Sequence, residues 1–279
     1  MRCARVFSVV AVLLCTIVGR AHAPGVVLSG FGSATVDGVL SPGEWGSAGR
    51  IDFVANLPLA DGGGTTPATL FVMNDATSLY LGVRIARSRL NTGTIGFGLD
   101  QVAFEFDNNH NGGPPEEGDD ILLLSPGLMI GSQSSFFDEV RTTRPPCPAG
   151  IGLCGLFDTQ VGGTNDGQGA AANDGSFSFF EIRHPLNSAD DPNDFSLALG
   201  ETVGFSLSIN LSSVTPFCSS DCLGSTAFPM VAGRGDIVIQ ARVPGVPVPP
   251  SVLLIVTGLV GAAAYQARHR LAHLLRGGV

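Results

Sequence analysis

Lysine is absent from this sequence, so all 15 of its basic residues are arginines. Charged residues of either sign make up only 14% of the 279 residues. Residues 24–243 contain all 24 acidic residues but only nine arginines, which gives this body a formal charge of −15. Such a body repels nucleic acid and anionic lipid and attracts cations, although most of its acidic residues serve simple solubility. Nucleic acid is therefore excluded as a partner.

Recognisable catalytic motifs are also missing. The sequence has no Gly-x-Ser-x-Gly, no His-Glu-x-x-His and no glycine-rich phosphate-binding fingerprint. Only His110 and His184 lie in the body, and we interpret them as a solvent-facing residue and a structural hydrogen-bonding residue. The sequence therefore favours a protein that is not an enzyme. A secreted glycan hydrolase or lyase without a recognisable motif remains the alternative.

Cysteines are few, and their number is even once the N-terminus is set aside. Cys3 and Cys15 lie in the first 23 residues, which leaves Cys147, Cys154, Cys218 and Cys222. An even number in an exported chain favours disulfides, and the local pairs 147–154 and 218–222 are the simplest of three connectivities. A four-thiolate zinc site is the alternative, although neither spacing is the C-x2-C of zinc ribbons.

The first 23 residues have the pattern of a removable signal peptide. A basic start, Met1–Arg5, precedes an apolar run from Val6 to Val18, and Ala21-His22-Ala23 is a small-x-small cleavage signal. The apolar run is short for a bilayer span and ends in small residues. We therefore expect export, with a retained N-terminal anchor as the alternative.

The C-terminus carries a second targeting pattern. A proline-rich linker, 244–250, precedes segment 251–279, which begins with an uncharged apolar run and ends in an arginine-containing tail. The run is about the shortest that spans a bilayer, which fits a short membrane helix. The order of these features resembles the PEP-CTERM sorting signal, in which the matching residues here are Val246, Pro247, Pro249, Arg268 and Arg270.

This resemblance implies a transient inner-membrane anchor and processing by an exosortase-like enzyme of a Gram-negative bacterium. The match departs from the motif at Val248, where the usual residue is Glu. A plain C-terminal tail anchor is the alternative. In either case the sequence predicts a protein of the cell envelope, the cell surface or the extracellular space.

Residues 24–243 predict one all-β domain. Period-two alternation of apolar and polar side chains, and short apolar runs between turn residues, predict strands at 51–57, 68–73, 79–86, 101–107, 120–124, 136–141, 177–184, 204–210 and 236–242. Asn74–Ser78 has turn chemistry, so 68–86 predicts a hairpin. We find no amphipathic helix, and many short strands with glycine-rich turns favour a β-sandwich. Gly150–Ser176 is predicted to be a long loop.

A family resemblance covers about residues 33–243. It is carried by a series of short motifs in a fixed order: Asp37-Gly38, Glu44-Trp45, Asn74-Asp75, Leu79-Tyr80-Leu81, Phe104-Glu105-Phe106-Asp107, Glu181–Leu186 and Gly204-Phe205. This order resembles the DOMON-like group, which includes the family 9 carbohydrate-binding modules. The resemblance implies a jelly-roll-like antiparallel β-sandwich, often with structural calcium, that binds sugars or, in some relatives, haem.

The loop after the 101–107 strand has a pattern typical of calcium sites. Asp107, Asn109 and Asn111 place oxygen-bearing side chains at alternate positions, and glycines follow for a tight turn. Position 12 of an EF-hand would fall on a glycine, so the loop is not an EF-hand. We predict one calcium ion held by Asp107, Asn109, Asn111, the carbonyl oxygen of Gly113, and one or both of Asp119 and Asp120. The alternative is a solvated acidic hairpin tip.

The candidate sugar-contacting residues are the single tryptophan, Trp45, and Tyr80. Sugar-binding proteins stack pyranose rings on exposed aromatic side chains. A lone tryptophan is more often part of a core, and packing is the alternative for Tyr80 as well. Together, the sequence predicts an exported cell-surface or extracellular-matrix protein, a calcium-stabilised β-sandwich that binds an envelope polysaccharide. A purely structural surface protein is the remaining alternative.

The two terminal signals generate a direct prediction. We expect the mature protein of the native host to lack residues 1–23 and the C-terminal segment, because both have the composition of removable targeting sequences. Intact-mass measurement of the protein from its host checks this. A mass that retains residues 252–279 would show a permanent anchor instead.

Overall fold

The predicted strands are present, and they form two sheets. The structure is a computed structural model that describes residues 25–92, 99–130, 133–148, 152–190, 193–212, 223–228 and 234–242. The signal peptide, the sorting motif and the cysteines at 218 and 222 lie outside the described residues. Among the described residues, no helix has the length and apolar character that a membrane span requires.

The described elements are almost all strands. In chain order they are β1 (Val26–Leu28), β2 (Gly30–Phe31), α1 (Pro42–Trp45), β3 (Gly49–Asn56), a 3-10 turn (Leu59–Asp61), β4 (Thr65–Asn74), β5 (Ser78–Ile85), β6 (Gln101–Asp107), β7 (Asp120–Ile130), β8 (Gln133–Thr142), β9 (Cys154–Phe157), α2 (Asp158–Val161), β10 (Gln168–Asn173), β11 (Ser178–Pro185), β12 (Thr202–Ser212), β13 (Leu223–Phe228) and β14 (Gly235–Val238). Both helices are single turns, so the all-β prediction is confirmed.

The two sheets have eight and six strands. The larger has the order β1-β14-β12-β6-β7-β8-β9, with β13 also paired to β12, and the smaller has the order β10-β11-β5-β4-β2, with β3 also paired to β4. Neighbouring strands are antiparallel except for two pairs, β1 with β14 and β2 with β4. Both exceptions involve the N-terminal segment, which pairs first with one sheet and then with the other.

The core lies between the sheets and is built from the predicted apolar stripes. Inward-facing residues of both sheets form one buried cluster, which includes Leu70, Leu79, Leu81, Val83, Val102, Phe104, Phe106, Phe180, Ile182, Phe205, Leu207 and Ile209. In β6 each inward residue alternates with a half-buried one, as period-two side-chain geometry requires, whereas β5 and β11 are buried on both faces. The structure therefore confirms the β-sandwich.

The prediction of a long loop at Gly150–Ser176 is wrong, because this stretch contains β9, α2 and β10. Strand β10 pairs residue by residue with β11. Its small side chains follow from the close approach of the opposite sheet: a Cβ added at Gly169 would lie 2.9 Å from Leu124 Cδ1. Because β10 consists largely of small residues such as Gly169, which lies against Leu124, its composition resembles that of a loop.

One of the two predicted disulfides lies among the described residues, and it is present. Cys147 and Cys154 are bonded, with their Cα atoms 5.8 Å apart. Cys154 is the first residue of β9. The bond therefore ties the segment that leaves β8 to the strand that pairs with β8.

Trp45 packs against the outer face of the six-stranded sheet rather than presenting a sugar platform. Its side chain is buried in a small cluster with Met73 and Tyr80. It also lies over Gly82, where an added Cβ would be 3.2 Å from the indole ring. The Trp45 Nε1–H donates to Glu181 Oε1 at 2.9 Å.

Tyr80 is also buried, so the structure assigns neither predicted aromatic to sugar contact. Its hydroxyl donates to Asp75 Oδ2 at 2.8 Å. Burial, together with this hydrogen bond, raises the pKa of Tyr80 to about 12. The ring closes the turn between β4 and β5, where Asp75 also accepts the backbone N–H groups of Thr77 and Ser78.

Glu181 holds the N-terminal segment on the sheet. Its Oε2 accepts the backbone N–H groups of Asp37, Gly38 and Val39 at 2.9, 2.6 and 3.2 Å, while Oε1 accepts from Trp45. Burial raises the pKa of Glu181, although the hydrogen bonds from Gly38, Asp37 and Trp45 oppose the shift. A single carboxylate therefore joins β11, the segment before α1, and the only tryptophan.

We predict that Glu181→Gln destabilises the protein by about 1.5–3 kcal/mol, the usual range for hydrogen bonds to a charged group. A carboxylate accepts on both oxygens, whereas an amide presents a donor on one side, which must face either Trp45 or the backbone N–H groups. Denaturant unfolding followed by tryptophan fluorescence measures the effect, and the emission should shift to the red. Glu44→Gln, at a half-buried carboxylate that accepts hydrogen bonds from Thr35 and Ser41 beside it, is the control, and equal stability of both variants would contradict the assignment.

Candidate metal centre

The loop predicted to bind calcium is filled by its own hydrogen bonds. Asp107 Oδ2 accepts the backbone N–H of Gly112 at 2.7 Å, and its Oδ1 accepts that of Asn111 at 3.2 Å. Asn111 Oδ1 accepts the N–H of Gly113 at 2.6 Å, and Asn109 Oδ1 accepts from Asn111 at 3.1 Å. The oxygen atoms predicted to face a cation therefore face donors of the loop itself.

An arginine lies among three of the predicted ligands. Arg234 Nη2 donates to Asp119 Oδ2 at 2.5 Å, and its Nε donates to the carbonyl oxygen of Gly113 at 3.2 Å. The same guanidinium lies 4.0 Å from Asp107 Oδ2, with only 7% of its side chain exposed. The positive charge is thus built into the fold on this side of the sheet.

The six predicted ligands do not converge, because Asp119 and Asp120 point in opposite directions. Asp120 is the first residue of β7 and is in phase with Leu122 and Leu124, which belong to the core between the sheets. Asp119 belongs with Arg234 outside that core. The structure therefore separates Asp120 from the rest of the predicted ligand set.

Asp120 belongs instead to a buried cluster at one end of the interior. Asp138, in phase with Phe136 and Val140 of β8, and His184, in phase with Phe180 and Ile182 of β11, face the same space. Each of Asp120, Asp138, His184 and Asp194 offers a ligand atom within 4.8 Å of the others, and all four residues are buried. A second set with the same spacing is formed by Asp158, Asp190 and Asp194.

Most carboxylate oxygens of the cluster have no hydrogen-bond donor. Both oxygens of Asp120, Asp158 and Asp194, and Oδ1 of Asp138, are buried without a well-formed hydrogen bond; the Phe195 N–H and the Ser188 hydroxyl only partly offset the charges of Asp120 and Asp194. Asp158 and Asp194 meet carboxyl to carboxyl, so a hydrogen bond between them needs a proton on one of the two. Buried polar atoms in proteins are nearly always hydrogen-bonded, and each exception needs a physical explanation.

His184 anchors Asp138, the β8 carboxylate of the cluster, which does have donors. Its Nδ1 lies 2.8 Å from the Pro185 carbonyl oxygen, so this nitrogen carries a proton and donates. Its Nε2 lies 3.1 Å from Asp138 Oδ2 and 3.7 Å from Asp194 Oδ2. Burial lowers the pKa of His184, but the hydrogen bond and charge of Asp138 and the charge of Asp194 raise it above its usual value.

The electrostatics of the cluster are unfavourable without a cation. Burial and the neighbouring carboxylates raise the pKa of Asp158 to about 9, that of Asp194 to about 6, and that of Asp120 well above its usual range. Among the described residues, no ion pair joins an arginine to these three side chains. Burying several carboxylates with at most one imidazolium is costly, so protons or a cation must compensate.

The donor set fits a hard divalent cation. Carboxylate oxygens are the preferred ligands of calcium, which accepts six to eight oxygens in flexible geometry. Asp194 also lines a cavity of about 320 Å³ with Asn108, Asn109, Glu117, Gly118, Asp119 and Ser196. This cavity gives the cluster an access route beside the loop in which the calcium site had been predicted.

The residues that sequence reasoning missed are Asp138, His184, Asp158, Asp190 and Asp194. For two of them a signal was present. Asp138 and His184 stand at positions of their strands where the alternation requires an apolar residue, and Asp120 does the same in β7. When each of three strands carries an ionisable residue on its buried face, the sequence indicates an ionic site in the interior. The other three lie in connections, where no periodicity marks them.

Comparisons with known proteins identify no family for the chain. No protein-family model matches it, and no curated protein matches it. Two solved structures that are similar to it are a family 9 carbohydrate-binding module from Caldicellulosiruptor kristjanssonii with cellotriose, at 15% identity, and the same kind of module from that organism with glucose, at 14%.

These similarities cover most of both chains at a modest level of superposition. The cellotriose complex matches 80% of this chain and 97% of its own, and the glucose complex matches 79% and 98%, each with a TM-score of 0.48. At this identity the similarity concerns the fold, and the ligands named belong to those proteins.

The unpaired carboxylates of the cluster predict a change in stability that can be measured without metal. In the presence of chelator, Asp120→Asn should stabilise the protein by about 1–3 kcal/mol, because it removes a buried carboxylate without partners and supplies an amide donor to its neighbours. Thermal unfolding measures the change. Asp119→Asn is the matched control: it should destabilise the protein, because its charge is paired with Arg234. A loss of stability in both variants would contradict this account of Asp120.

Proposed function

We propose that this chain is an exported, non-catalytic protein of the cell surface whose β-sandwich is stabilised by calcium and binds an envelope polysaccharide. The observation that carries the calcium proposal is the set of buried carboxylate oxygens without donors at Asp120, Asp138, Asp158 and Asp194. A cation supplies the charge that the described side chains of the cluster do not. The calcium is therefore proposed at these residues and not in the loop around Arg234.

Calcium fits this set better than zinc or magnesium. Zinc favours few ligands, rich in nitrogen and sulfur, whereas the cluster offers many oxygens and one imidazole. Magnesium demands strict octahedral geometry and retains its waters, which a buried cluster of side chains has little room to hold. His184 donates to Asp138 Oδ2 and leaves Oδ1 of the same carboxylate free for the cation.

The consequence of binding is a cross-link between strands of both sheets and two connections. Asp120 and Asp138 come from the eight-stranded sheet, His184 comes from the six-stranded sheet, and Asp158 and Asp194 come from connections. The cluster closes one end of the interior, where the His184 ring packs 4.8 Å from that of Phe195. A bound ion thus stabilises the sheet-to-sheet arrangement at this end.

We predict that calcium at about 100 times its dissociation constant stabilises the protein by about 2.7 kcal/mol relative to chelator, since only the folded state offers the site. Magnesium should give a smaller increment. Thermal unfolding in each condition measures it. Asp120→Asn should lose most of the increment, whereas the control Asp107→Asn should retain it.

Three outcomes of this experiment contradict the proposal. Equal stability with calcium and with chelator removes calcium binding. An increment lost in Asp107→Asn and kept in Asp120→Asn returns the ion to the loop after β6. A larger increment with zinc than with calcium identifies a different metal, with the imidazole of His184 as a ligand.

A polysaccharide partner is favoured by the outer face of the six-stranded sheet. The Arg84 guanidinium lies between two rings, 5.6 Å from the centre of Phe71 and 5.2 Å from that of Phe177, and Arg50 lies 5.8 Å from Phe71. This arginine–phenylalanine row combines hydrogen-bond donors for sugar hydroxyl groups with apolar ring edges for sugar C–H groups. Thr69 and Asp52 add polar groups beside it.

The row gives the sugar proposal a test that is separate from calcium. A glycan array probed with the full-length protein in calcium should identify polysaccharide ligands, and Arg84→Ala should weaken that binding about tenfold or more. The control is Arg141→Ala, an arginine that pairs with Glu105 on the other sheet. Absence of binding to any glycan would favour the purely structural alternative.

The glycan-active enzyme gains no support from the converging carboxylates. A glycosidase needs two carboxyl groups on either side of an accessible glycosidic bond. Asp120, Asp138 and Asp158 are fully buried, and Asp194 is 3% exposed. No sugar ring reaches the space between them, so we assign these residues to ion binding and not to hydrolysis.

A further inference from the structure

The buried cluster contains two overlapping sets of ligand atoms. The inner set is Asp120, Asp138, His184 and Asp194, and the outer set is Asp158, Asp190 and Asp194. Within each set the ligand atoms lie within 4.8 Å of one another, and only Asp194 belongs to both. A shared carboxylate between two groups of ligands is the arrangement of sites in which one side chain bridges two ions.

The charge of the cluster exceeds what one divalent cation can balance. Its five carboxylates carry up to five negative charges, and His184 carries at most one positive charge. With all five carboxylates ionised and His184 protonated, one divalent ion leaves a net charge of −2 on the cluster, and a second brings it to neutrality. Four of the five carboxylates are buried, and Asp190 is half-buried. Uncompensated buried charge costs several kcal/mol per group in proteins.

The unpaired oxygens are distributed over both sets. In the inner set, both oxygens of Asp120 and Oδ1 of Asp138 lack donors. In the outer set, both oxygens of Asp158 lack donors. Asp158 is fully buried, but it does not belong to the inner set. An ion in the inner set alone therefore leaves the buried carboxylate of Asp158 without a neighbouring positive charge in the described part of the chain.

The outer set also has a carboxylate held in place by neighbouring donors. Asp190 Oδ2 accepts the Thr164 N–H at 2.6 Å, and its Oδ1 accepts from Asn193 Nδ2 at 3.0 Å. Gly163 lies directly against this group, because an added Cβ there would be 2.5 Å from Asp190 Oδ2 and 3.0 Å from Asp158 Cβ. The backbone after α2 thus approaches the outer set as closely as a glycine allows.

We propose that the cluster binds two calcium ions, one in each set, with Asp194 as the shared ligand. This inference rests on the proposed calcium function and adds the second ion and its ligands. Asp194 lines the cavity that leads to solvent, so both ions reach the cluster by the same route. The two ions join β7, β8 and β11 to the connections that contain Asp158 and Asp190.

The test is a count of bound calcium. The full-length protein is stripped with chelator, dialysed against calcium chloride at several concentrations, and analysed for calcium per chain by elemental analysis and by isothermal titration. We expect two ions for the unaltered protein. Asp190→Asn should keep one ion of unchanged affinity and weaken the other about tenfold or more, the usual effect of altering a residue that supports a metal site.

Two controls locate the ions. Asp107→Asn, in the loop closed by Arg234, and Asp174→Asn, in the exposed turn before β11, should both retain two ions. Asp158→Asn gives a second variant of the outer set and should also bind a single ion tightly, which covers the case in which Asp190→Asn fails to fold.

The outcomes separate this inference from the function on which it rests. One tight ion in the unaltered protein, lost in Asp120→Asn, retains the proposed function and overturns the second ion. No bound calcium removes both. Two ions in the unaltered protein and still two, at unchanged affinity, in both Asp158→Asn and Asp190→Asn overturn the assignment of the outer set. A reduction to one ion in Asp107→Asn does the same.

Discussion

The structure depends on a constraint that is unusual for a sandwich interior: five carboxylates and one histidine meet where the two sheets would otherwise bury apolar side chains. The strands that supply Asp120, Asp138 and His184 carry apolar residues at every neighbouring inward position, so the core continues up to the cluster and ends there. The packing of this end, and the positions of the connections bearing Asp158 and Asp194, therefore depend on what neutralises the carboxylates.

The two acidic sites differ in how their negative charge is compensated. Outside the core, Asp119 pairs with the guanidinium of Arg234, which also bonds the Gly113 carbonyl oxygen. Inside the core, no described arginine reaches Asp120 or its neighbours. The first site carries its own cation and needs no other, whereas the second is incomplete without protons or an ion. This contrast explains why an acidic loop with the spacing of a calcium site is not the better candidate.

The sequence predicted the architecture well and the site poorly, for physical reasons. Alternation in strands such as 101–107 reports directly on which face is buried, so strands and sandwich followed. Small residues opposite Leu124 concealed β10, because tight packing and loop composition look alike in one dimension. The sequence places Asp120 beside Asp119 in one predicted ligand set, whereas consecutive residues of an extended chain face opposite sides. The contribution of Asp158 and Asp194 depends on the tertiary arrangement alone.

The central claim is that calcium binds in the buried cluster, and its position can be observed directly. Crystals of the protein grown in calcium, measured at a wavelength where calcium scatters anomalously, give a difference map whose peaks mark bound ions. The account predicts density enclosed by the carboxylates of Asp120, Asp138, Asp158 and Asp194. A map with no peak there, or with its only peak in the loop beside Asp107 and Arg234, would contradict it.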